Sequence, residues 1–200
     1  VTALIPLVRD KVDASFFDKA PSLKVVANYG VGIDNIDVAE ATRRGIAVCN
    51  TPDVLTNAVA ELTIGLIIAS ARRFKEGTES LRTGAFKGIN PQFLLGREIA
   101  GARLGIVGFG RTGQAVAAKA SALGMLVTVD DRPKRGNFPY PRLPMNELLK
   151  VSDFISVHSA LNSETKGMCN DKFFSGMKRG AYFINSARGE LIQEKALLKA

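Results

Sequence analysis

The hydrophobic positions of the chain alternate between short β-branched runs and longer stretches with helical spacing. Strands are predicted at Thr2–Leu7, Lys24–Ala27, Ile46–Cys49, Leu104–Val107, Leu126–Val129, Phe154–Val157 and Tyr182–Ile184. Helices are predicted at Asp37–Arg44, Val54–Phe74, Gln114–Leu123 and Asn146–Val151. Strands that alternate with helices are typical of βαβ units, whose strands run parallel. The pattern predicts an α/β protein with two doubly wound parallel-sheet domains.

A Gly-rich stretch at residues 82–101, which also contains Pro91, interrupts this alternation. Such a composition is typical of a connecting loop. A new strand begins directly after it. We therefore expect one domain over residues 1–98 and a second over residues 99–200.

The longest apolar stretch, Ala58–Ala71, contains Glu61 and is shorter than a membrane-spanning helix requires. Its apolar residues cover most of the helical circumference, so we expect it to be buried on all sides. We expect no membrane association.

The formal net charge of +8 is concentrated in the second half of the chain. Residues 101–200 carry 15 Lys and Arg against 8 Asp and Glu. A basic surface attracts nucleic acid, a membrane or an anionic small molecule. Aromatic residues do not alternate with the basic ones, as a single-strand binding surface would require. The same half contains a phosphate-binding type of glycine motif, Gly108–Gly113, so an anionic cofactor is the simplest partner, and we expect no nucleic acid.

The two cysteines, Cys49 and Cys169, lie far apart and form no CxxC pattern. This usage favours a reducing, cytoplasmic location, with both thiols buried and inert. The first ten residues show no signal-peptide pattern. No set of residues has metal-ligand spacing, so no metal site is predicted.

The strongest local motif is the glycine fingerprint formed by Gly108, Gly110 and Gly113, with Arg111 and Thr112 between the last two glycines. It follows an apolar strand and opens a helix, which is the context that dinucleotide binding requires. We therefore expect the second of the two doubly wound parallel-sheet domains to be a Rossmann dinucleotide-binding domain. The helix N-terminus would offer N–H groups to a pyrophosphate. The alternative is a glycine-rich turn that binds nothing.

An acidic residue after the second strand of the motif bears on the choice of cofactor. Asp131 lies 18 residues beyond Gly113, where a carboxylate can accept hydrogen bonds from both ribose hydroxyls. This favours NAD. The basic residues Arg132, Lys134 and Arg135 follow at once, so NADP remains the alternative.

Three further motifs resemble those of the D-isomer-specific 2-hydroxyacid dehydrogenase family. They are the segment Asn28–Asp37 with its Gly30-Val31-Gly32 loop, the stretch from Asn50-Thr51-Pro52 to Val59-Ala60-Glu61, and Asn185-Ser186-Ala187-Arg188-Gly189. They surround the glycine fingerprint in the order that the family has, and the resemblance covers almost the whole chain.

The resemblance implies roles for individual residues. Arg188 would bind the carboxylate and carbonyl oxygens of a 2-oxo acid, because guanidinium is a planar and permanently charged fork; the alternative is a surface arginine. Residues Tyr29, Gly30, Val31 and Gly32 would contact the substrate carboxylate, although an ordinary tight turn would look the same. The expected cofactor contacts are Thr56, Gly108, Gly110, Arg111, Thr112, Gly113, Asp131, Arg132, His158, Ser159 and Ala187.

His158 is the only histidine, but its position matches a cofactor-lining loop of the family and not the catalytic acid/base. In the family the catalytic histidine and its glutamate partner lie further along, so we expect them beyond Ala200. The family also has a few dozen residues before the first strand, and we expect the chain to be partial at both ends.

The expected function is hydride transfer between a nicotinamide cofactor and a small 2-oxo acid such as glyoxylate or hydroxypyruvate, or the matching D-2-hydroxy acid. The alternative is a dinucleotide-sensing interaction protein, since the family includes transcriptional corepressors. Family members pair through neighbouring helical surfaces, so we expect a homodimer.

Overall fold

The computed structural model describes residues 1–130 and 139–200. It divides into two compact units, Val1–Leu55 and Thr56–Ala200. Among the described residues, no helix has both the length and the apolar character needed to cross a bilayer.

The first unit contains a three-stranded parallel sheet in the order β1-β2-β3. Its elements are β1 (Ala3–Leu4), α1 (Ala14–Asp18), β2 (Val25–Ala27), α2 (Val38–Arg43) and β3 (Ala47–Cys49). Asp13 and Asp37 cap the two helices, because their carboxylates accept hydrogen bonds from first-turn N–H groups. Gly45 ends α2 with φ of +69°, a left-handed conformation that glycine adopts without strain.

The second unit contains a four-stranded parallel sheet in the order β5-β4-β6-β7. Its elements are α3 (Thr56–Ala71), α4 (Phe74–Arg82), β4 (Arg103–Val107), α5 (Arg111–Ala122), β5 (Leu126–Asp130), α6 (Met145–Val151), β6 (Phe154–Val157), α7 (Asp171–Gly176), β7 (Tyr182–Asn185), a 3-10 turn (Gly189–Leu191) and α8 (Glu194–Leu197).

Helices cover both faces of this second sheet. Residues of α3 and α5, such as Ile67 and Val116, form one buried cluster with the strands. Residues of α6 and α7, such as Leu148 and Phe173, form another cluster with the same strands. Two layers of helices around a parallel sheet make a doubly wound domain, which confirms the predicted fold class.

The division between the two units falls earlier than the sequence predicts. The break lies between Leu55 and Thr56 and not near residue 98, because α3 packs against α5 and β7 of the second unit. The predicted helix Val54–Phe74 corresponds to α3, which ends at Ala71, and a further helix, α4, follows Arg73, whose φ of 55° is left-handed. The stretch between Arg82 and Arg103 has no helix or strand, as predicted, but it lies inside the second unit.

The segment before β4 is held to the amino edge of the second sheet by Asp153. Its carboxylate accepts hydrogen bonds from the backbone N–H of Arg103 at 2.9 Å and from Lys178 Nζ at 2.7 Å, and it forms an ion pair with Arg97 at 2.7 Å. Burial alone would raise the pKa of Asp153, but these donors outweigh it and lower the pKa to about 2.

The prediction that both cysteines are buried is wrong for Cys49. This residue ends β3, which is an edge strand, and its side chain is exposed. Cys169 is buried as predicted, and burial raises the pKa of its thiol to about 12.

Candidate functional site

The carboxyl ends of the four strands in the second unit lie side by side. Val107 of β4 pairs with Asp130 of β5 on one side and with Val157 of β6 on the other. Val157 in turn pairs with Asn185 of β7. The segments that follow these strands therefore meet at one edge, and the crevice between β4 and β6 is the switch point where α/β proteins bind ligands.

The glycine fingerprint lies at this switch point, and two of its glycines are required by close packing. A Cβ on Gly113 would lie 2.3 Å from the carbonyl oxygen of Gly108, so only glycine lets α5 begin so close to β4. Gly108 has φ of +89°, and a Cβ there would lie 2.6 Å from the backbone nitrogen of Ser159. Gly108 also donates its N–H to the carbonyl of Asp130 at 3.0 Å, which joins the loop to β5.

Gly110 is different, because no described protein atom lies within 4 Å of the place where its Cβ would be. It is the N-cap of α5 and, having no side chain, makes no capping hydrogen bond of its own. Arg111 and Thr112 form the first turn that follows. An open glycine at a helix N-terminus fits the pyrophosphate of a dinucleotide, which needs close backbone approach and N–H donors.

The loop after β6 lies against the glycine fingerprint. His158 donates its backbone N–H to the carbonyl of Val107 at 2.7 Å, and its Nε2 lies 2.9 Å from Ser156 Oγ. Burial lowers the pKa of His158 to about 4, so the ring is neutral at physiological pH. Ser159 Oγ donates a long hydrogen bond of 3.4 Å to the same carbonyl. Both predicted residues therefore border the candidate cofactor crevice.

Arg188 follows β7 at the same edge of the sheet. Asn185, the last residue of that strand, makes two side-chain hydrogen bonds within the loop. Its Oδ1 accepts the N–H of Ala187 at 3.0 Å, and its Nδ2 donates to the carbonyl of Arg188 at 2.8 Å. The Arg188 guanidinium donates to the carbonyl of Ala187 at 3.1 Å. This role of Asn185 is not predicted from the sequence, although its place at the start of the motif is a signal.

Thr56 is the first residue of α3 and is half-buried. Asp131 and Arg132, which the sequence argument connects with the choice between NAD and NADP, lie outside the described residues.

The predicted substrate loop belongs to the first unit. Gly30 is closely packed, since a Cβ there would lie 2.3 Å from the side chain of Val8. The buried Asn28 donates to the carbonyl of Gly32, and Asn50 donates to the carbonyl of Val31 at 2.8 Å. Tyr29 is 70% exposed. The two asparagines thus fix the shape of the loop, a role that the sequence argument did not assign to them.

Within residues 1–130 and 139–200, no group of three or more His, Cys, Asp and Glu side chains could hold a metal ion.

Comparison with known proteins places these features in a family. The model of the D-isomer specific 2-hydroxyacid dehydrogenase NAD binding domain matches residues 64–200. The match begins inside α3 and includes the glycine fingerprint, the His158 loop and Arg188.

Individual relatives are similar over the whole chain. A glyoxylate reductase of Thermococcus onnurineus is 42% identical, with 100% of this chain and 62% of the relative covered. The crystal structure of the TT0316 protein from Thermus thermophilus is 46% identical, has a TM-score of 0.95 and is covered to 64%. D-lactate dehydrogenase from Aquifex aeolicus, solved with NAD and lactic acid, is 33% identical, has a TM-score of 0.93 and is covered to 60%. The chain thus spans about three fifths of the length of the relatives it matches.

Proposed function

Because the chain belongs to the D-isomer-specific 2-hydroxyacid dehydrogenase family, we propose that the full-length protein is an NAD(P)-dependent oxidoreductase. It transfers a hydride between the nicotinamide and a small 2-oxo acid or the matching D-2-hydroxy acid. The observation that carries the proposal is the open Gly110 at the N-terminus of α5, at the same sheet edge as Arg188.

The cofactor supplies or accepts the hydride, and the chain's own residues bind and orient it. Gly108 and Gly113 let strand and helix approach closely, and Gly110 with the first turn of α5 would hold the pyrophosphate. Neutral His158 and Ser159 would border the cofactor. We extend the same role to Thr56 and Ala187, in agreement with the family resemblance.

Arg188 would hold the 2-oxo acid. A guanidinium can bind a carboxylate with two parallel hydrogen bonds, and it also stabilises negative charge that develops on the ketone oxygen during reduction. We propose glyoxylate or hydroxypyruvate as the substrate, because similar proteins include a glyoxylate reductase. For the first unit we propose, as a separate assignment, that residues 29–32 bind the substrate carboxylate.

The experiment is an NADH-dependent glyoxylate reduction assay with the full-length protein. Arg188→Lys should lower kcat/KM on the order of 100-fold, since an ammonium cannot reproduce the two-pronged contact. Arg179→Lys is the matched control, because Arg179 is exposed and lies outside the site. Equal activity of the wild type and Arg188→Lys would refute the assignment.

For the cofactor we propose a preference for NAD, with Asp131 accepting hydrogen bonds from the ribose hydroxyls. Asp131→Ala should then weaken NADH binding more than NADPH binding. Equal losses, or a wild-type preference for NADPH, would show that the basic residues Arg132, Lys134 and Arg135 decide instead.

We also propose that the protein is a homodimer, is cytoplasmic and binds no nucleic acid. The exposed leucines Leu62 and Leu66 of α3 support the dimer, because large apolar side chains in one helix face favour a partner surface. The free thiols of Cys49 and Cys169 support a reducing compartment. Titration with generic DNA at several salt concentrations tests the last point.

A further inference from the structure

A partly buried hydroxyl pair connects the loop that carries Arg188 to the middle of α3. Ser186 Oγ lies 2.8 Å from Thr63 Oγ1, although the two residues are 123 positions apart in the chain. Thr63 is fully buried, four residues after Val59, and Ser186 stands two residues before Arg188.

The direction of the hydrogen bonds in this pair follows from the available protons. Thr63 Oγ1 lies 2.8 Å from the carbonyl oxygen of Val59, which can only accept. A hydroxyl has one proton and two acceptor lone pairs. Thr63 therefore donates to Val59, and Ser186 donates to Thr63.

The loop from Asn185 to Arg188 is consequently held from two sides. The Asn185 amide spans the loop internally, with contacts to the N–H of Ala187 and the carbonyl of Arg188. The Ser186 hydroxyl attaches the same loop to α3. The internal contacts set the shape of the loop, whereas the Thr63 contact sets its position on the helix.

We propose that Thr63 is a positioning residue for Arg188, acting through Ser186. The inference rests on the proposed function of Arg188. A guanidinium that makes two parallel hydrogen bonds tolerates little displacement, and a shift of about 1 Å can lower a rate by about 100-fold. The Ser186–Thr63 bond fixes the backbone from which this side chain extends.

The test compares four variants of the full-length protein. Thr63→Val keeps the shape of the side chain but leaves Ser186 without its acceptor, and Ser186→Ala removes the donor. Thr63→Ser keeps the hydroxyl and should rescue. Thr128→Val is the control, because Thr128 is a buried threonine of the same unit whose hydroxyl bonds the carbonyl of Leu104.

The expected result is a fall in kcat/KM for the 2-oxo acid between about 10- and 100-fold in Thr63→Val and Ser186→Ala. The dissociation constant for NADH, measured by its fluorescence, should change less than about twofold. Thr63→Ser and Thr128→Val should stay near the wild type. A fall in kcat/KM without a matching rise in the dissociation constant for NADH distinguishes positioning of Arg188 from general damage to the domain.

A double-mutant cycle with Arg188→Lys decides whether the effect passes through the arginine. If Thr63 acts by positioning Arg188, Thr63→Val should cost far less in the Arg188→Lys background than in the wild type. Equal losses in both backgrounds would overturn the proposal, as would a loss in Thr63→Val that Thr63→Ser does not rescue.

Hydrogen exchange distinguishes failure of this inference from failure of the proposed function. Thr63→Val and Ser186→Ala should speed amide exchange in residues 186–189, whether or not the protein reduces a 2-oxo acid. Unchanged exchange there overturns the positioning role. A wild type without activity on any 2-oxo acid overturns the proposed function, and with it the inference.

Discussion

At the residue scale, the glycines of the fingerprint have different physical reasons for being glycine. A Cβ on Gly113 would collide with the carbonyl of Gly108, so the fold itself requires glycine at this position. Gly110 faces open space among the described residues, so the fold does not require a glycine there. Under the proposed function, the need for glycine at position 110 comes from the ligand.

This difference predicts two distinct phenotypes. Gly113→Ala should lower the melting temperature and weaken NADH binding, because the new methyl group forces α5 away from β4. Gly110→Ala should keep the melting temperature within a few degrees but weaken NADH binding about 10-fold or more, since the methyl group would stand where the pyrophosphate approaches. Thermal melting and NADH fluorescence titration measure the two effects. Full NADH affinity in Gly110→Ala would contradict the proposed site.

His158 predicts a dependence of stability on pH. Its pKa falls from 6.5 in the unfolded chain to about 4 in the folded protein because the ring is buried. Stability from this group is therefore fully present above pH 6.5 and is lost as pH falls toward 4. The loss should approach about 3 kcal/mol at pH 4. Asp153 titrates lower, since its pKa is about 2, and its contribution is lost only below pH 4.

Urea unfolding at pH 7.0 and pH 4.5 measures the His158 effect. His158→Gln cannot take up this proton, so its free energy of unfolding should fall less over the same interval than that of the wild type. If the free energy of unfolding fell equally in the two proteins, a group other than His158 would be responsible for the pH dependence.

At the scale of elements, the main departure from the sequence prediction is the place of α3. In the sequence, the predicted helix Val54–Phe74 follows the strand Ile46–Cys49 and precedes a long loop. This order places the helix in the first domain. The structure instead packs its buried face, including Ile64 and Ile67, into the core of the second unit. A hydrophobic pattern shows which side of a helix is buried but not which sheet buries it, because the partner strands lie far away in the sequence.

The segment that joins α4 to β4 depends on Asp153 for its attachment. Asp153→Asn should destabilise the protein by about 2 kcal/mol, since a charged acceptor with three donors is replaced by a neutral amide. Lys199→Met is the matched control, because the ion pair of Lys199 with Asp171 is exposed and contributes little. Chemical unfolding at pH 7 measures both. A change below about 0.5 kcal/mol in Asp153→Asn would contradict the anchoring role.

At the scale of the whole molecule, α3 has apolar residues beyond its buried face. Leu62 is 57% exposed and Leu66 is 39% exposed, although the pattern predicts burial on every side. A partner chain would complete the burial, in agreement with the proposed homodimer. The double variant Leu62→Lys/Leu66→Lys should therefore be monomeric at micromolar concentration.

Light scattering measures the mass of this variant and of a control, Leu126→Lys. Leu126 is 52% exposed at the start of β5, so it tests the effect of an added charge on an exposed leucine elsewhere. A dimer that persists in the double variant, or a wild type that is already monomeric, would contradict the proposal.

The sequence by itself determined the features that depend on local chemistry and spacing. The alternation of strands and helices predicts the parallel sheets, and Gly108, Gly110 and Gly113 between a strand and a helix predict the loop at the switch point. The helix predicted at Asp37–Arg44 matches α2, whose ends Asp37 and Gly45 set, since caps depend on neighbours within a few residues. The position of Arg188 after a buried strand also follows from the pattern alone.

Only the tertiary structure decided the relations between residues distant in the chain. In the structure α3 belongs to the second unit, and Cys49 is exposed on an edge strand. The burial of His158 lowers its pKa, which keeps the ring neutral. It also brought Thr63 to Ser186. These outcomes depend on which surfaces pack together. The packing partners are distant in the chain, so the spacing of residues along the sequence does not reveal them.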